Sequence, residues 1–134
     1  VERAVAMAKD AGAKRALLLP VSAPFHCPLM GPAADEMARA LGEVTFNDPA
    51  LPLVANVTAE AVTDAAKIRD LLVEQVTGRV RWRSSVEWMA APGVTEAWEI
   101  GAGKALSGMI RRIDKSLATR SIGTPEEVKA AKEA

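Results

Sequence analysis

The chain has 134 residues, of which 49% are hydrophobic and 25% are charged, a composition typical of a folded domain rather than a disordered chain. The 17 Lys and Arg residues balance 17 Asp and Glu residues, and this zero net charge gives no support for binding to nucleic acid or to an acidic membrane. The single cysteine excludes an internal disulfide, and no apolar run approaches the ~20 residues that span a bilayer, so we expect a cytoplasmic protein.

The first half of the chain alternates between helical patterns and short apolar runs. Val1–Ala11 has helical spacing and Gly12 suits its end; because the chain starts inside this pattern, we expect a piece of a longer protein. Arg15–Val21 predicts a buried strand. Ser22–Pro28 is predicted to be irregular, because proline disfavours helix in the residue before it, and a helix is expected over Leu29–Leu41.

The second half of the chain continues this alternation. Strands are predicted at Leu51–Val57, Thr95–Ile100 and Leu117–Ile122. Helices are predicted at Asp64–Gln75, Arg83–Ala91, Leu106–Ile113 and Thr124–Ala131. The last of these carries a capping box, formed by Thr124 and Glu127. Strands that alternate with helices predict the α/β class.

His26 is the only histidine of the chain, so any histidine-based mechanism must use it. It lies between a predicted strand and a predicted helix, where α/β proteins often carry reactive groups. This pattern is compatible with two roles for His26: a general base, or a structural histidine that is hydrogen-bonded to the backbone. No second histidine or cysteine pair completes a metal site, and Cys27 is expected to point away from His26 because neighbours in an extended segment face opposite sides.

Two other motifs have a structural and a functional interpretation. Gly101–Lys104 lacks the third glycine of a dinucleotide loop and the Ser or Thr of an ATP loop, so a tight turn between strand and helix is predicted. Arg79, Arg81 and Arg83 alternate, and an extended backbone would put them on one face. They form either a solvated basic edge or a docking patch for an acidic partner or a phosphorylated ligand.

The stretch VSAPFHCPLMGPAAD at 21–35 resembles the histidine motif of the malonyl-CoA:acyl carrier protein transacylase family. The similarity continues through TFN at 45–47, VANV at 54–57, IRDLLVEQ at 68–75, VRWRSSVEWM at 80–89 and EIGAGKALSG at 99–108. It extends from about Ala13 to Gly123. Ala102 stands where the family usually has proline, which alters a turn and leaves the resemblance intact.

This resemblance implies the C-terminal part of an enzyme. Residues 1–21 match the end of a small ferredoxin-like subdomain, and residues 22–134 match the C-terminal part of a large α/β hydrolase-like acyltransferase core. The family's serine nucleophile lies in a Gly-x-Ser-x-Gly elbow that this sequence lacks, and its malonyl-binding arginine and oxyanion glutamine also lie upstream. We therefore expect the chain alone to be inactive, and the complete enzyme to be a cytoplasmic monomer without cofactor or metal.

The resemblance also assigns roles to residues of the chain. The family moves malonyl from coenzyme A to a serine and then to the phosphopantetheine thiol of acyl carrier protein, in fatty acid synthesis. His26 is implied as the general base and the backbone carbonyl of Gln75 as the group that orients it, so the Gln75 side chain should be replaceable. Phe25 favours malonyl over methylmalonyl. We further predict that Arg79 or Arg83 helps to recruit the acidic carrier protein.

Two alternatives stand beside this prediction. The chain could belong to the acyltransferase domain of a polyketide synthase, which performs the same chemistry. It could instead be a non-catalytic folding or docking fragment, an alternative that the absent nucleophile favours for the chain taken alone.

Overall fold

A computed structural model describes residues 1–133 of the chain as helices that alternate with short strands. The helices are α1 (Glu2–Asp10), α2 (Gly31–Gly42), α3 (Ala65–Thr77), α4 (Trp82–Ala90), α5 (Ala105–Ile113) and α6 (Pro125–Lys132). The strands are β1 (Leu53–Val54), β2 (Ala61–Val62), β3 (Glu96–Ile100) and β4 (Ala118–Ile122). A 3₁₀ turn at Pro28–Met30 leads directly into α2. The predicted α/β class is confirmed.

The strands form two small sheets of opposite kind. β1 and β2 make an antiparallel hairpin, in which Leu53 lies opposite Val62. β3 and β4 pair in parallel, from Glu96 opposite Ala118 to Ile100 opposite Ile122, and α5 is the crossover between them. A parallel pair needs a connection of this kind, because its second strand must restart at the same end as the first.

Two apolar clusters hold these elements together. The first packs α3 onto the hairpin through its buried residues Ala55, Val62, Ile68 and Leu71. The second joins α4, α5 and the residue before β4 through Val86, Ile110 and Leu117. Burying a large aliphatic side chain contributes roughly 1.5–3 kcal/mol. α3 is therefore anchored by the face that carries residues 68 and 71, one turn before residue 75.

The glycine-containing turn after β3 has a structural role. Gly101 and Gly103 adopt φ values of 131° and 96°, which side chains rarely tolerate, and a Cβ at Gly123 would lie 2.7 Å from the Gly101 carbonyl oxygen. The Glu99 carboxylate accepts hydrogen bonds from the backbone N–H groups of residues 106 and 107, at the start of α5. Hydrogen bonding by Ser107, through its side chain and its backbone, holds the pKa of the Glu99 carboxyl below its usual value. The predicted turn is confirmed, and the protein's own carboxylate occupies the helix N-terminus.

Helix ends that depend on local signals were predicted well. The Asp64 side chain accepts from the Lys67 N–H at 2.6 Å and caps α3. At α6, Thr124 accepts from the Glu127 N–H while the Glu127 carboxylate accepts from the Thr124 N–H, so the predicted capping box is confirmed.

Two strand predictions were wrong in whole or in part. Arg15–Val21 forms no strand in the described residues, although it is apolar, and Leu17, Leu18 and Leu19 are exposed. A strand requires a neighbour that accepts its backbone hydrogen bonds, and none of the described strands lies beside this segment. The strand predicted over Leu51–Val57 is confined to Leu53–Val54, because the chain turns immediately afterwards.

Candidate functional site

His26 lies in the irregular segment that precedes α2, as the prolines of this segment predicted. Its φ of 57° is unusual for a residue with a side chain, and the residue is exposed. The 3₁₀ turn that follows packs against both α2 and α3, which brings the segment to the C-terminal end of α3.

The His26 ring meets the backbone at that helix end. Its Nδ1 lies 2.7 Å from the carbonyl oxygen of Gln75. A carbonyl oxygen only accepts hydrogen bonds, so Nδ1 carries the proton and, in the neutral ring, Nε2 carries the lone pair. Nε2 makes no hydrogen bond within residues 1–133. The arrangement leaves one ring nitrogen fixed and the other available to accept a proton.

The end of α3 explains why the Gln75 carbonyl is available. The Gly78 N–H donates to the Glu74 carbonyl at 2.8 Å, and Gly78 itself then leaves the helical conformation, with ψ at 154°. Helix termination leaves the last carbonyls without partners inside the helix. A Cβ at Gly78 would lie 2.8 Å from Val57 Cγ1 and 2.9 Å from the Glu74 carbonyl oxygen. Glycine at this position therefore lets the helix end close against the hairpin.

The Gln75 side chain has a partner that the sequence did not predict. Its Oε1 accepts a hydrogen bond from Asn56 Nδ2 at 2.8 Å, in a half-buried position between α3 and the hairpin. Asn56 has no spacing relation to His26 or Gln75 in the sequence, so only the fold brings the three residues together. The VANV stretch was noted as part of a resemblance, but nothing in it singled out the asparagine.

The residues on either side of His26 do not join its hydrogen bonds. The Cys27 thiol donates to the Pro24 carbonyl oxygen at 3.1 Å, so its polar contact is within its own segment. Phe25 is 56% exposed. The described residues contain no group of histidine, cysteine and acidic side chains that could hold a metal ion.

The three alternating arginines do not share one extended segment, which corrects the sequence prediction. Arg79 and Arg81 precede α4, whereas Arg83 lies in its first turn, because the helix starts at Trp82. Arg83 donates to the Glu87 carboxylate at 2.8 Å, one turn along α4. Arg81 donates to the Thr58 carbonyl oxygen at 3.3 Å.

A groove nevertheless brings these arginines together. Its volume is about 540 Å³, and a fourth arginine, Arg112 of α5, lines it beside the apolar side chains of Trp82, Met109 and Ile113. Arg79 and Arg112 form no salt bridge with any residue in 1–133. Sequence spacing could not predict the contribution of Arg112, which lies on a different helix.

No helix within the described residues is both long enough and apolar enough to cross a membrane.

The chain is similar to proteins of known activity. It is 50% identical over 131 residues to the malonyl CoA-acyl carrier protein transacylase of Salmonella typhimurium, a match that covers 98% of this chain and 42% of the relative. The crystal structure of the acyl-carrier-protein S-malonyltransferase from Bartonella henselae is similar with a TM-score of 0.88 at 52% identity, over 98% of this chain and 42% of that one. No family model matches the chain.

A third similar protein was solved with a carrier protein. The structure is that of a type II PKS acyl-carrier protein in complex with its malonyl-transacylase, and the match has 41% identity and a TM-score of 0.85 over 99% of this chain and 43% of that one. The chain thus spans less than half the length of the relatives it matches.

Proposed function

Because the chain belongs to the malonyl-CoA acyl carrier protein transacylase family, we propose that it is the C-terminal part of an enzyme that transfers malonyl from coenzyme A to acyl carrier protein. The observation that carries this proposal is the hydrogen bond between His26 Nδ1 and the Gln75 carbonyl. It fixes the ring orientation and the tautomer that a general base requires.

In the proposed mechanism, His26 activates a serine supplied by the rest of the enzyme. Nε2 takes the proton of the serine hydroxyl as its oxygen attacks the thioester carbonyl of malonyl-CoA, and the imidazolium then protonates the departing coenzyme A thiolate. The carrier protein's thiol takes the malonyl group by the reverse steps. No cofactor is needed, because both steps exchange only an acyl group and a proton.

The Gln75 carbonyl stabilises the protonated ring in this scheme. A hydrogen bond to a charged group is worth roughly 1.5–3 kcal/mol, more than a bond between neutral groups. The negative end of the α3 dipole adds to this stabilisation, since Gln75 lies in the last turn of the helix. A backbone oxygen thus stabilises the imidazolium, and no carboxylate side chain is needed for this role.

The finer domain assignment belongs to the same proposal. We place residues 22–134 in the C-terminal part of an α/β hydrolase-like core and residues 1–21 at the end of a ferredoxin-like subdomain. The parallel β3–α5–β4 unit supports the first assignment. α1 does not pack extensively against any other described helix or strand, whereas α2 packs on α3 and α6 on β4, which supports a separate subdomain at 1–21.

Phe25 is the proposed selectivity residue. It directly precedes His26, and the residue is 56% exposed, so its side chain is accessible to an acyl group held beside the imidazole. A ring of that size would crowd the extra methyl of a methylmalonyl group, which supports a preference for malonyl.

The full-length protein should carry malonyl on a serine as an intermediate. Incubation with malonyl-CoA alone should give a malonyl ester that mass spectrometry detects, and addition of holo-acyl carrier protein should discharge it to the carrier thiol. Methylmalonyl-CoA serves as the matched competitor. Transfer without any covalent ester, or no transfer, would exclude this mechanism.

The groove that contains Arg79 and Arg83 is the proposed contact for the carrier protein. Arginine next to apolar side chains suits an acidic partner with an apolar surface, because charge steers the encounter and apolar contact holds it. Arg79 is the better candidate, since Arg83 is already paired with Glu87.

Arg79→Glu in the full-length enzyme should raise the KM for the carrier protein about 2- to 5-fold at low ionic strength, the usual size of one surface charge contact. The effect should shrink in high salt. Acylation by malonyl-CoA should not change, because the reaction's first half does not involve the carrier. Arg3→Glu on α1, which does not line the groove, is the matched control. An unchanged KM for the carrier protein at low salt would show that Arg79 does not contribute to docking.

One observation favours a second candidate of the same chemistry. A similar structure holds a polyketide-type carrier protein with its malonyl-transacylase. Comparing fatty acid and polyketide carriers as acceptors in the same assay separates the two roles by their kcat/KM values.

A further inference from the structure

We propose that Asn56 is a positioning residue for His26, acting through Gln75. Asn56 Nδ2 donates to Gln75 Oε1 at 2.8 Å, and the backbone carbonyl of the same glutamine lies 2.7 Å from His26 Nδ1. The side chain and the backbone of one residue thus connect the hairpin to the imidazole. The inference rests on the proposed role of His26 as general base.

Asn56 lies in a hairpin turn that is closed by backbone hydrogen bonds. The Ala59 N–H donates to the Ala55 carbonyl at 2.8 Å, and the Ala55 N–H donates to the Glu60 carbonyl at 3.1 Å, so both ends of the turn are closed. The Asn56 carbonyl in turn accepts the Arg81 N–H at 2.8 Å, directly before α4. Ala55 and Ala59 are each 5% exposed, so the turn is packed against the rest of the molecule and is not a free loop.

Gln75 is the point at which α3 needs such support. The helix ends at Thr77, and the last turn of a helix frays most readily because its carbonyls lack internal partners. A movement of this turn would displace the Gln75 carbonyl from the His26 ring. The bond from Asn56 attaches the turn to a fixed part of the molecule.

The partners are both uncharged amides in half-buried positions. Pairing two amides avoids the cost of burying a charge beside the imidazole, and it leaves the negative end of the α3 dipole as the local field that favours the imidazolium. Asn56 reaches the ring only through Gln75, so its effect must disappear when the Gln75 side chain is absent.

A double-mutant cycle in the full-length enzyme tests this. Asn56→Ala and Gln75→Ala each remove the same neutral hydrogen bond, and each should lower kcat for serine acylation about 2- to 10-fold, with little change in the KM for malonyl-CoA. For Gln75 this replaces the expectation from the sequence that its side chain is dispensable, because the side chain has a partner in the fold. The double variant should be no slower than the slower single variant. Thr58→Ala, in the same turn, leaves the Asn56–Gln75 bond in place and is the matched control.

A spectroscopic measurement makes the test independent of activity. The Nδ1 proton of His26, held in a short hydrogen bond, should give a downfield ¹H resonance that is absent from His26→Ala. In Asn56→Ala and in Gln75→Ala this resonance should broaden or move upfield, and in Thr58→Ala it should persist. If the unaltered enzyme shows the resonance but transfers no malonyl, the proposed function fails while the positioning role can still be measured.

Several outcomes would overturn the role of Asn56. These are an unchanged resonance and an unchanged kcat in Asn56→Ala, additive losses in the double variant, or a lower Tm without any change in acylation. If Asn56→Ala does not fold, Gln75→Ala decides the matter, because it removes the same bond from a helix position where alanine is well tolerated.

Discussion

If the proposed mechanism holds, His26→Ala in the full-length protein should slow acylation of the serine by malonyl-CoA by roughly 10²–10⁴-fold, the usual contribution of a positioned general base. The imidazole acts on the serine proton, so the affinity for the coenzyme A ester should change far less. Stopped-flow measurement of malonyl-enzyme formation separates the two, since the acylation rate and its dependence on malonyl-CoA concentration are obtained from the same traces.

The neighbouring cysteine supplies the control for this experiment. Cys27→Ala changes the same segment, but within residues 1–133 the thiol hydrogen-bonds to the Pro24 carbonyl and not to His26, so acylation should stay close to that of the unaltered enzyme. The loss in His26→Ala should shrink at high pH, where hydroxide partly replaces the missing base. Near-normal acylation by His26→Ala would remove His26 from the mechanism and leave it a structural histidine.

The features that the sequence predicted well are those determined by neighbouring residues. Thr124 and Glu127 are three positions apart and form the predicted capping box of α6, and Asp64 caps α3 in the same local way. The turn at Gly101 and Gly103 follows from the backbone freedom of glycine. In each case the residues that determine the helix end or the turn are within a few positions of it in the sequence.

The features that the sequence did not predict depend on residues far away in the chain. Arg15–Val21 has the apolar composition of a strand but no described strand beside it, so composition alone could not predict its conformation. Asn56 and Gln75 are 19 positions apart, and His26 and Gln75 are 49 apart. A resemblance suggested the second contact, whereas nothing in the sequence suggested the first. Residue spacing predicts contacts within one helix or strand, whereas the candidate site combines the His26 segment, α3 and the hairpin.

Several large apolar side chains of the described residues are exposed to solvent. Leu19, Leu51 and Ile100 are each more than 70% exposed, and β3 and β4 form a parallel sheet of two strands. Parallel sheets are usually covered on both faces, and exposed apolar patches mark surfaces that contact other protein. Since the chain matches 42% of the length of its relatives, we expect the remaining part of the enzyme to cover this surface and to supply the serine.

The 134-residue chain alone should therefore transfer no malonyl from coenzyme A to acyl carrier protein. Its sequence contains no Gly-x-Ser-x-Gly elbow, and Nε2 of His26 has no serine within hydrogen-bonding distance among residues 1–133. A base without a nucleophile can hold a proton but cannot form the acyl-enzyme. The purified chain should take up no malonyl in mass spectrometry, while the full-length enzyme, assayed in parallel, becomes labelled. Circular dichroism and thermal melting separate an inactive folded chain from an unfolded one. Transfer by the chain at an enzyme-like rate, abolished by His26→Ala, would show that it carries its own nucleophile and would refute the proposed division of the active site.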